Sequence, residues 1–151
     1  MIYWFWTLSR LIEKKKNVYN DTRKVIFMEF IKKEENDYFV IEAIENDTVI
    51  GFINYKFKQN RKVWLNNIKV NKEYRHTGIG TTLLYLFEND CLDHFIKEVE
   101  GKFYPHDEEG SVVKTFYEKH GYSVFKDGYD TEIYKCNLKR HETNKNTAKK
   151  R

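Results

Sequence analysis

The feature that most constrains how this chain can fold is one apolar stripe that begins at Ile79. Apolar residues recur at offsets of four, five, eight, twelve and sixteen from it, at Leu83, Leu84, Phe87, Cys91 and Phe95. This spacing puts all of them on one face of a helix more than four turns long. The other elements of the fold must therefore offer this helix an apolar surface.

Runs rich in β-forming residues lie on both sides of the stripe. YFVIEAIE and TVIGFINYKF are separated by Asn46-Asp47 and predict a hairpin, which KVWLNNIKV continues. After the stripe, KEVEGKFYP predicts a strand, GSVVKTFYEKH predicts a helix ended by Gly121, and YSVFKD and TEIYKCNLK predict two last strands. Strands paired in sequence and then crossed by helices indicate an α+β, or mixed α/β, fold.

The first third of the chain is harder to interpret. Ile26, Phe27, Phe30 and Ile31 recur at helical spacing after a candidate N-cap at Asp21 or Thr22, so a helix is predicted there. The segment 1–8 is compatible with a first strand and the segment 8–15 with a first helix, and the two remain ambiguous.

Length and charge indicate one neutral domain with a basic tail. At 151 residues and 40% hydrophobic content, the chain suits a single core. Six basic residues and one acid fall in 139–151, which leaves 21 basic and 22 acidic residues in 1–138. We expect a domain over 1–138 and a disordered, solvated tail over 139–151, with a nucleic-acid arm as the alternative.

Nothing in the sequence predicts export, membrane insertion or a metal. The apolar start MIYWFWTL lacks a basic n-region and is far shorter than the roughly 20 residues that span a bilayer. Cys91 and Cys136 lack metal-ligand spacing and are interpreted as reduced packing residues. The five histidines form no i, i+4 pair. We therefore expect a cytoplasmic protein without a metal.

The segment RHTGIG, from Arg75 to Gly80, joins the third predicted strand to the long helix. It fails the dinucleotide fingerprint, which needs Gly at Leu83, and the Walker loop, which needs Lys after Gly80. The unpaired N–H groups and the positive dipole end of a helix start favour a phosphate group. The alternative is a glycine-bearing helix start that packs tightly and binds nothing.

IKVNKEYRHTGIGTTLL resembles motif A of the GNAT acyl-CoA-dependent N-acyltransferases, Arg/Gln-x-x-Gly-x-Gly/Ala, matched here by Arg75, Gly78 and Gly80. About forty residues later, FYEKHGY is similar to the family's Phe-Tyr-Glu-x-x-Gly-Phe/Tyr. The resemblance implies a twisted, mixed, mostly antiparallel sheet of six or seven strands flanked by about four helices. The strands around 62–70 and 98–105 would be splayed, and acetyl-CoA would be the co-substrate.

The resemblance also assigns site residues. It implies that CoA is bound by the strand residues Ile68, Lys69 and Val70 and by the loop and first helical turn, Arg75, His76, Thr77, Gly78, Ile79, Gly80 and Thr81. Tyr117 matches the family tyrosine that assists the departing sulfur; its alternative role is an amphipathic core residue. Many relatives have an Asn that contacts the pantetheine arm. At that position this chain has Gly110, and Ser111 is the candidate substitute. The parity change along KVWLNNIKV predicts a register break near Asn66-Asn67.

The general base is unassigned. Asn66 and Asn67 cannot accept a proton, whereas His106, Asp107, Glu108 and Glu109 are candidates in an acidic loop that is otherwise only solvated. His120 is interpreted as a contact with the end of its helix.

The reaction implied is acetyl transfer from acetyl-CoA to the primary amine of a small molecule or peptide, by direct attack. The rival classes are a non-catalytic acyl-CoA-binding module, a toxin-like enzyme that acetylates aminoacyl-tRNA, and a nucleic-acid-binding protein that uses the tail. We expect neither a membrane nor nucleic acid as partner, and the aromatic residues leave homodimerisation open.

Overall fold

In the described residues of the computed structural model, one eight-stranded sheet carries two α-helices and a short 3-10 turn. The structure describes residues 15–18, 25–103, 108–127 and 130–142. The strands are β1 (Lys15–Val18), β2 (Val25–Glu35), β3 (Tyr38–Glu45), β4 (Thr48–Lys58), β5 (Lys62–Val70), β6 (Glu98–Phe103), β7 (Ser123–Asp127) and β8 (Asp130–Cys136). The helices are α1 (Ile79–Asp93) and α2 (Glu108–Lys119), and the 3-10 turn is Lys72–Tyr74.

The sheet has the order β1-β2-β3-β4-β5-β6-β8-β7. Among the described strands, β5 and β6 are parallel and the other neighbours are antiparallel. The predicted mixed, mostly antiparallel sheet is therefore confirmed. The prediction of about four helices is wrong, because the described residues contain two α-helices.

Tight turns join β2 to β3, β3 to β4 and β4 to β5. Asn36-Asp37, Asn46-Asp47 and Asn60-Arg61 all have positive φ, between 47° and 68°. Two consecutive left-handed residues make the turn whose twist matches that of paired strands, and after glycine Asn and Asp tolerate this conformation best. The predicted hairpin at Asn46-Asp47 is confirmed, and an equivalent hairpin at Asn36-Asp37 precedes it.

That earlier hairpin overturns the helix predicted from about Asp21. The described part of that segment is β2, and it pairs with β3 along eight residue positions, from Met28 to Glu35. Phe30 and Lys32 are buried and alternate with the partly exposed Ile31 and the exposed Lys33, which is the period of a strand. A lysine at a core position hides this alternation in the sequence, so the helical spacing was the more visible pattern.

The long predicted helix is α1, and its apolar face covers β3, β4 and β5. Phe95 does not belong to the buried stripe, because the helix ends at Asp93 and Phe95 is 73% exposed. Phe95 has a φ of 58°, and the Ile96 N–H donates to the Cys91 carbonyl at 2.9 Å. This is a Schellman ending, in which the left-handed residue faces outward and the next residue, Ile96, packs into the core.

The helix α2 ends as the sequence predicts, at a left-handed Gly121 with a φ of 84°. The Tyr122 N–H donates to the Tyr117 carbonyl at 3.0 Å, and the two aromatic rings meet edge to face at 5.4 Å. Phe103 of β6 stacks on Tyr117 with ring centroids 5.8 Å apart. Because Phe103 shares the face of Val99, which lies in the core beneath α1, both helices pack on one face of the sheet.

The first residues of the basic C-terminal run contact α1. The ring of His141 stacks on Tyr85 at 3.8 Å, and its Nε2 lies 2.5 Å from the buried Glu88 carboxylate. The His141 backbone N–H and carbonyl both bond to the Asn89 side chain, at 2.8 and 2.9 Å. These contacts join 139–142 to the folded body, whereas 143–151 lie outside the described residues. The segments left ambiguous between 1 and 14 lie outside them too.

Candidate active site

The loop between β5 and α1 is held by hydrogen bonds to backbone carbonyls. The Asn71 N–H donates to the Ile50 carbonyl at 2.8 Å, and Arg75 Nε donates to the Val70 carbonyl at 3.1 Å. The Thr77 hydroxyl donates to the carbonyl of Tyr74, at the end of the 3-10 turn. These bonds fix the path by which the chain leaves the strand and enters the helix. His76 and Thr77 are exposed on this loop.

Gly78 is the N-cap of α1 and has a φ of 87°, a conformation that glycine adopts without strain. No side chain caps the helix, and the first intrahelical bond runs from the Thr82 N–H to the Gly78 carbonyl at 3.0 Å. The N–H groups of the preceding residues therefore lack intrahelical acceptors. A Cβ built on Gly78 meets no heavy atom within 4 Å, so the mouth of the helix is open.

Gly80 has a different role, because it faces the second helix. A Cβ there would lie 3.4 Å from the Phe116 ring, which is ordinary van der Waals contact. Ile79 packs into the core, and Thr81 continues the first turn. Of the two motif glycines, Gly78 thus opens the loop to solvent while Gly80 lies where α1 packs against α2.

The strands β5 and β6 separate at the end of four residue pairs, from Lys62 opposite Glu98 to Leu65 opposite Gly101. Beyond Leu65, β5 continues to Val70 paired only with β4 on its other side. The register with β4 shifts at this point, since Asn54 pairs with Asn67 and Tyr55 with Leu65. Asn66 is the extra residue of a β-bulge, which confirms the predicted register break and bends β5 away from β6.

Ile68, Lys69 and Val70 lie on this unpaired stretch. This stretch forms a sheet edge to which an extended ligand can add, with the Val70 carbonyl already accepting a hydrogen bond from Arg75 Nε. Ile68 and Val70 lie opposite Ile53 and Gly51 and face the core, whereas Lys69 is exposed. The Asn66 amide donates to the Asn54 amide oxygen at 3.4 Å on the bulge.

Gly101 belongs to the last residue pair before β5 and β6 separate, and it was not recognised from sequence. A Cβ on Gly101 would lie 2.6 Å from the Leu65 carbonyl oxygen and 3.1 Å from the Ile133 side chain. Only a residue without a side chain allows this approach. Its sole sequence signal is a glycine inside a strand pattern, which often marks close contact with another backbone.

We expect Gly101→Ala to lower the free energy of unfolding by about 1–3 kcal/mol, because the backbone must shift to admit the methyl group. Urea unfolding followed by circular dichroism measures the change. An unfolding curve that matches the parent would contradict this packing argument.

Tyr117 lies in the last turn of α2, between Phe103, Phe116 and Tyr122. Its side chain is 3% exposed, and burial alone raises the pKa of its phenol well above the usual value. The ring it stacks on, Phe103, is the last residue of β6, past the point where β5 separates. Tyr117 therefore lies against the wall of the opening between the strands, and its hydroxyl remains protonated at neutral pH.

His120 makes the contact with the helix end that the sequence suggests and one more. Its Nδ1 lies 2.7 Å from the Phe116 carbonyl in the last turn of α2. Its Nε2 lies 3.1 Å from the Thr81 hydroxyl in the first turn of α1. The FYEKHGY motif contains this histidine, but the sequence gives no sign of its second partner.

The remaining candidates are dispersed. Ser111 is exposed in the first turn of α2, where its carbonyl accepts the Thr115 hydroxyl at 2.9 Å. His106 and Asp107 lie outside the described residues, and the side chains of Glu108 and Glu109 do as well. Both cysteines are free; Cys91 is buried as expected, whereas Cys136 is exposed and is not a packing residue.

Within the described ranges, no three His, Cys, Asp or Glu side chains converge on a common point that could hold a metal ion. Neither described helix is long and apolar enough to cross a membrane.

The profile of the acetyltransferase (GNAT) family matches residues 2–122, and the chain belongs to this family. Among solved structures it is similar to the PaiA N-acetyltransferase of Thermoplasma acidophilum, crystallised with coenzyme A. The two are 32% identical over 66% of this chain and 61% of that one, with a TM-score of 0.60. The chain thus spans about three fifths of the length of that protein.

Two more distant structures share the fold. A GNAT-family acetyltransferase of Staphylococcus aureus Mu50 is 22% identical over 68% of this chain and 69% of its own, with a TM-score of 0.60. A protein described as a streptothricin acetyltransferase of Bacillus anthracis, in complex with acetyl coenzyme A, is 20% identical over 67% and 62%, with a TM-score of 0.55. No curated protein matches the sequence significantly.

Proposed function

We propose that this chain is an N-acetyltransferase that moves the acetyl group of acetyl-CoA to a primary amine. The observation that carries the proposal is the uncapped, open start of α1 at Gly78, directly beside the separated ends of β5 and β6. An open helix start favours a phosphate group, and an unpaired strand edge favours an extended amide chain. CoA presents both, joined in one molecule.

The binding roles follow from this arrangement. The backbone N–H groups from Arg75 to Thr81 would hold the pyrophosphate, with the exposed His76 and Thr77 beside it. The pantetheine arm would add to β5 along Ile68, Lys69 and Val70. Ser111, on the exposed first turn of α2, is proposed as a further contact with that arm. Support comes from the family and from the coenzyme A and acetyl coenzyme A in the two related structures.

In the proposed reaction the lone pair of a neutral amine attacks the thioester carbonyl directly. A C–N bond forms, the strand N–H near Ile68 or Lys69 stabilises the oxyanion, and the C–S bond then breaks. The Tyr117 hydroxyl donates a hydrogen bond to the departing sulfur, and the ammonium proton leaves to solvent or to a base that stays unassigned. The acceptor is the amine of a small molecule or peptide, and we propose a cytoplasmic location.

The test is a calorimetric titration of acetyl-CoA into the parent, Gly78→Asn and Gly78→Asp. Asn and Asp have nearly the same shape and both tolerate a left-handed backbone, so the pair differs in charge alone. We expect Asn to bind close to the parent and Asp to bind about ten- to hundredfold more weakly, because its carboxylate repels the pyrophosphate. A panel of primary amines, followed by release of the CoA thiol, then tests turnover.

Two results would overturn this proposal. If the parent does not bind acetyl-CoA, the glycines serve only helix packing. If the Asp and Asn variants bind equally, the phosphate groups lie elsewhere.

A further inference from the structure

The helix that starts at the open loop and the helix that carries Tyr117 touch at one joint. Gly80 and Thr81 of α1 meet Phe116 of α2 and His120, the residue after α2, with the Thr81 hydroxyl 3.1 Å from His120 Nε2. The His120 and Phe116 rings lie 4.6 Å apart, which places the imidazole over the ring that fills the space beside Gly80. The joint combines one side-chain hydrogen bond with close packing at a glycine.

Hydrogen bonds hold both ring nitrogens of His120. The Phe116 carbonyl can only accept, so Nδ1, at 2.7 Å, carries a proton. In the neutral ring Nε2 then accepts the Thr81 hydroxyl proton. The imidazole thereby bridges the last turn of α2 and the first turn of α1.

A third element, β8, contacts His120 through the side chain of Lys135. Lys135 Nζ of β8 donates to the His120 carbonyl at 2.9 Å and to the buried Glu88 carboxylate of α1 at 2.8 Å. The Tyr85 ring meets the imidazole edge to face at 5.8 Å. His120 is therefore held by groups from α1, α2 and β8, and its ring is pre-positioned toward Thr81.

We propose that His120 is a positioning residue that sets the start of α1 relative to α2. This inference rests on the proposed function, in which Thr81 belongs to the phosphate-binding turn and Tyr117 assists the leaving sulfur. The imidazole fixes the first turn of α1 through the Thr81 hydroxyl and fixes α2 through the Phe116 carbonyl. One side chain thus keeps the two halves of the site at the correct separation.

The test combines His120→Asn with Thr81→Val. Asn can still donate to the Phe116 carbonyl but is too short to reach Thr81, and Val keeps the shape of Thr without its hydroxyl. We expect each variant to raise the KM for acetyl-CoA and to lower kcat. In each variant kcat/KM should fall about three- to tenfold, which corresponds to the loss of one hydrogen bond. The double variant should lose no more than the worse single variant.

The matched control is Thr115→Val, which removes an exposed hydroxyl that bonds only within α2, to the Ser111 carbonyl. It should change neither constant. Losses of Thr81→Val and His120→Asn that multiply in the double variant would overturn the proposal, and so would parent-like kinetics in His120→Asn.

Hydrogen exchange, measured without ligand, tests the positioning role of His120 independently of the proposed function. The Thr82 amide, which is the first to donate within α1, and the amides of the turn after it should exchange several-fold faster in both variants and in the double variant alike, while Thr115→Val leaves them unchanged. If the parent does not bind acetyl-CoA, the proposed function fails, and the exchange rates still show whether His120 fixes α1. Unchanged exchange in His120→Asn would overturn the positioning role.

Discussion

Replacing Tyr117 by phenylalanine should lower kcat about 10²- to 10³-fold while the affinity for acetyl-CoA stays within about twofold of the parent, the loss typical of removing one hydrogen-bond donor to charge that develops in the transition state. Phenylalanine keeps the ring that packs between Phe103 and Tyr122, so the fold should be unaffected. The measurement is turnover with the best amine of the panel, beside a calorimetric titration of acetyl-CoA.

The burial of Tyr117 determines how its hydroxyl can act. Because burial raises the pKa of this phenol, it lies above the roughly 8.5 of a free thiol, and complete proton transfer to the sulfur is uphill. A strong hydrogen bond to the developing thiolate is the favourable alternative, since it is made only as charge appears on the sulfur. The raised pKa also keeps the donor protonated on the alkaline side, so kcat should not fall through Tyr117 ionisation below about pH 10.

Tyr122→Phe is the matched control, because Tyr122 is a second buried tyrosine of the same cluster. Its hydroxyl donates to the Glu88 carboxylate at 2.8 Å. Removing it should lower the free energy of unfolding by about 1–3 kcal/mol and leave kcat of the folded protein unchanged. Equal losses of kcat in both variants would assign Tyr117 to packing alone. A parent that binds acetyl-CoA but acetylates no amine would favour the acyl-CoA-binding module.

The elements that could be predicted from sequence are those whose pattern is local. The α1 stripe, the Asn46-Asp47 turn and the Gly121 stop each depend on a few neighbouring residues, and all three are confirmed. The strand β2 was mistaken for a helix because its buried face contains Lys32, whose partner Asp90 is 58 residues away. A charged residue at a core position breaks the alternation that identifies a strand, and only the folded structure shows what compensates it.

In the candidate site too, the part that is local in sequence was predicted and the part that depends on distant segments was not. The loop from Arg75 to Gly80 is contiguous, so both its sequence and its junction between strand and helix were recognisable. Gly101 and the contact between Thr81 and His120 depend on the approach of segments that are distant in sequence. Gly101 was therefore not recognised from sequence, and His120 was interpreted only as a contact with the end of its helix.

Lys32, which lies in the segment mistaken for a helix, forms a buried ion pair with Asp90. Lys32 and Asp90 are 6% and 5% exposed, and Lys32 Nζ donates to both carboxylate oxygens at 2.7 Å. The Tyr55 hydroxyl donates to the same carboxylate, which raises the pKa of that phenol further beyond the effect of its burial. This cluster joins β2 and β4 to the C-terminal half of α1.

We expect Lys32→Met and Asp90→Leu each to lower the free energy of unfolding by about 3–5 kcal/mol, because each leaves one charge buried without its partner. The triple variant Lys32→Met/Asp90→Leu/Tyr55→Phe removes both charges and the hydroxyl together, so it should recover most of the loss. Urea unfolding of all variants measures these differences and yields the coupling between the sites.

Lys114→Met provides the surface comparison, since Lys114 and Glu118 form an exposed i, i+4 pair at 3.8 Å on α2. It should change stability by no more than about 0.5 kcal/mol. The result for Lys32→Met also tests the assignment of β2. On an exposed helix face this lysine would tolerate Met as easily as Lys114 does, and equal effects of the two substitutions would contradict the strand. A loss several times larger at Lys32 than at Lys114 requires Lys32 to face the core, which the β2–β3 hairpin achieves and the predicted helix does not explain.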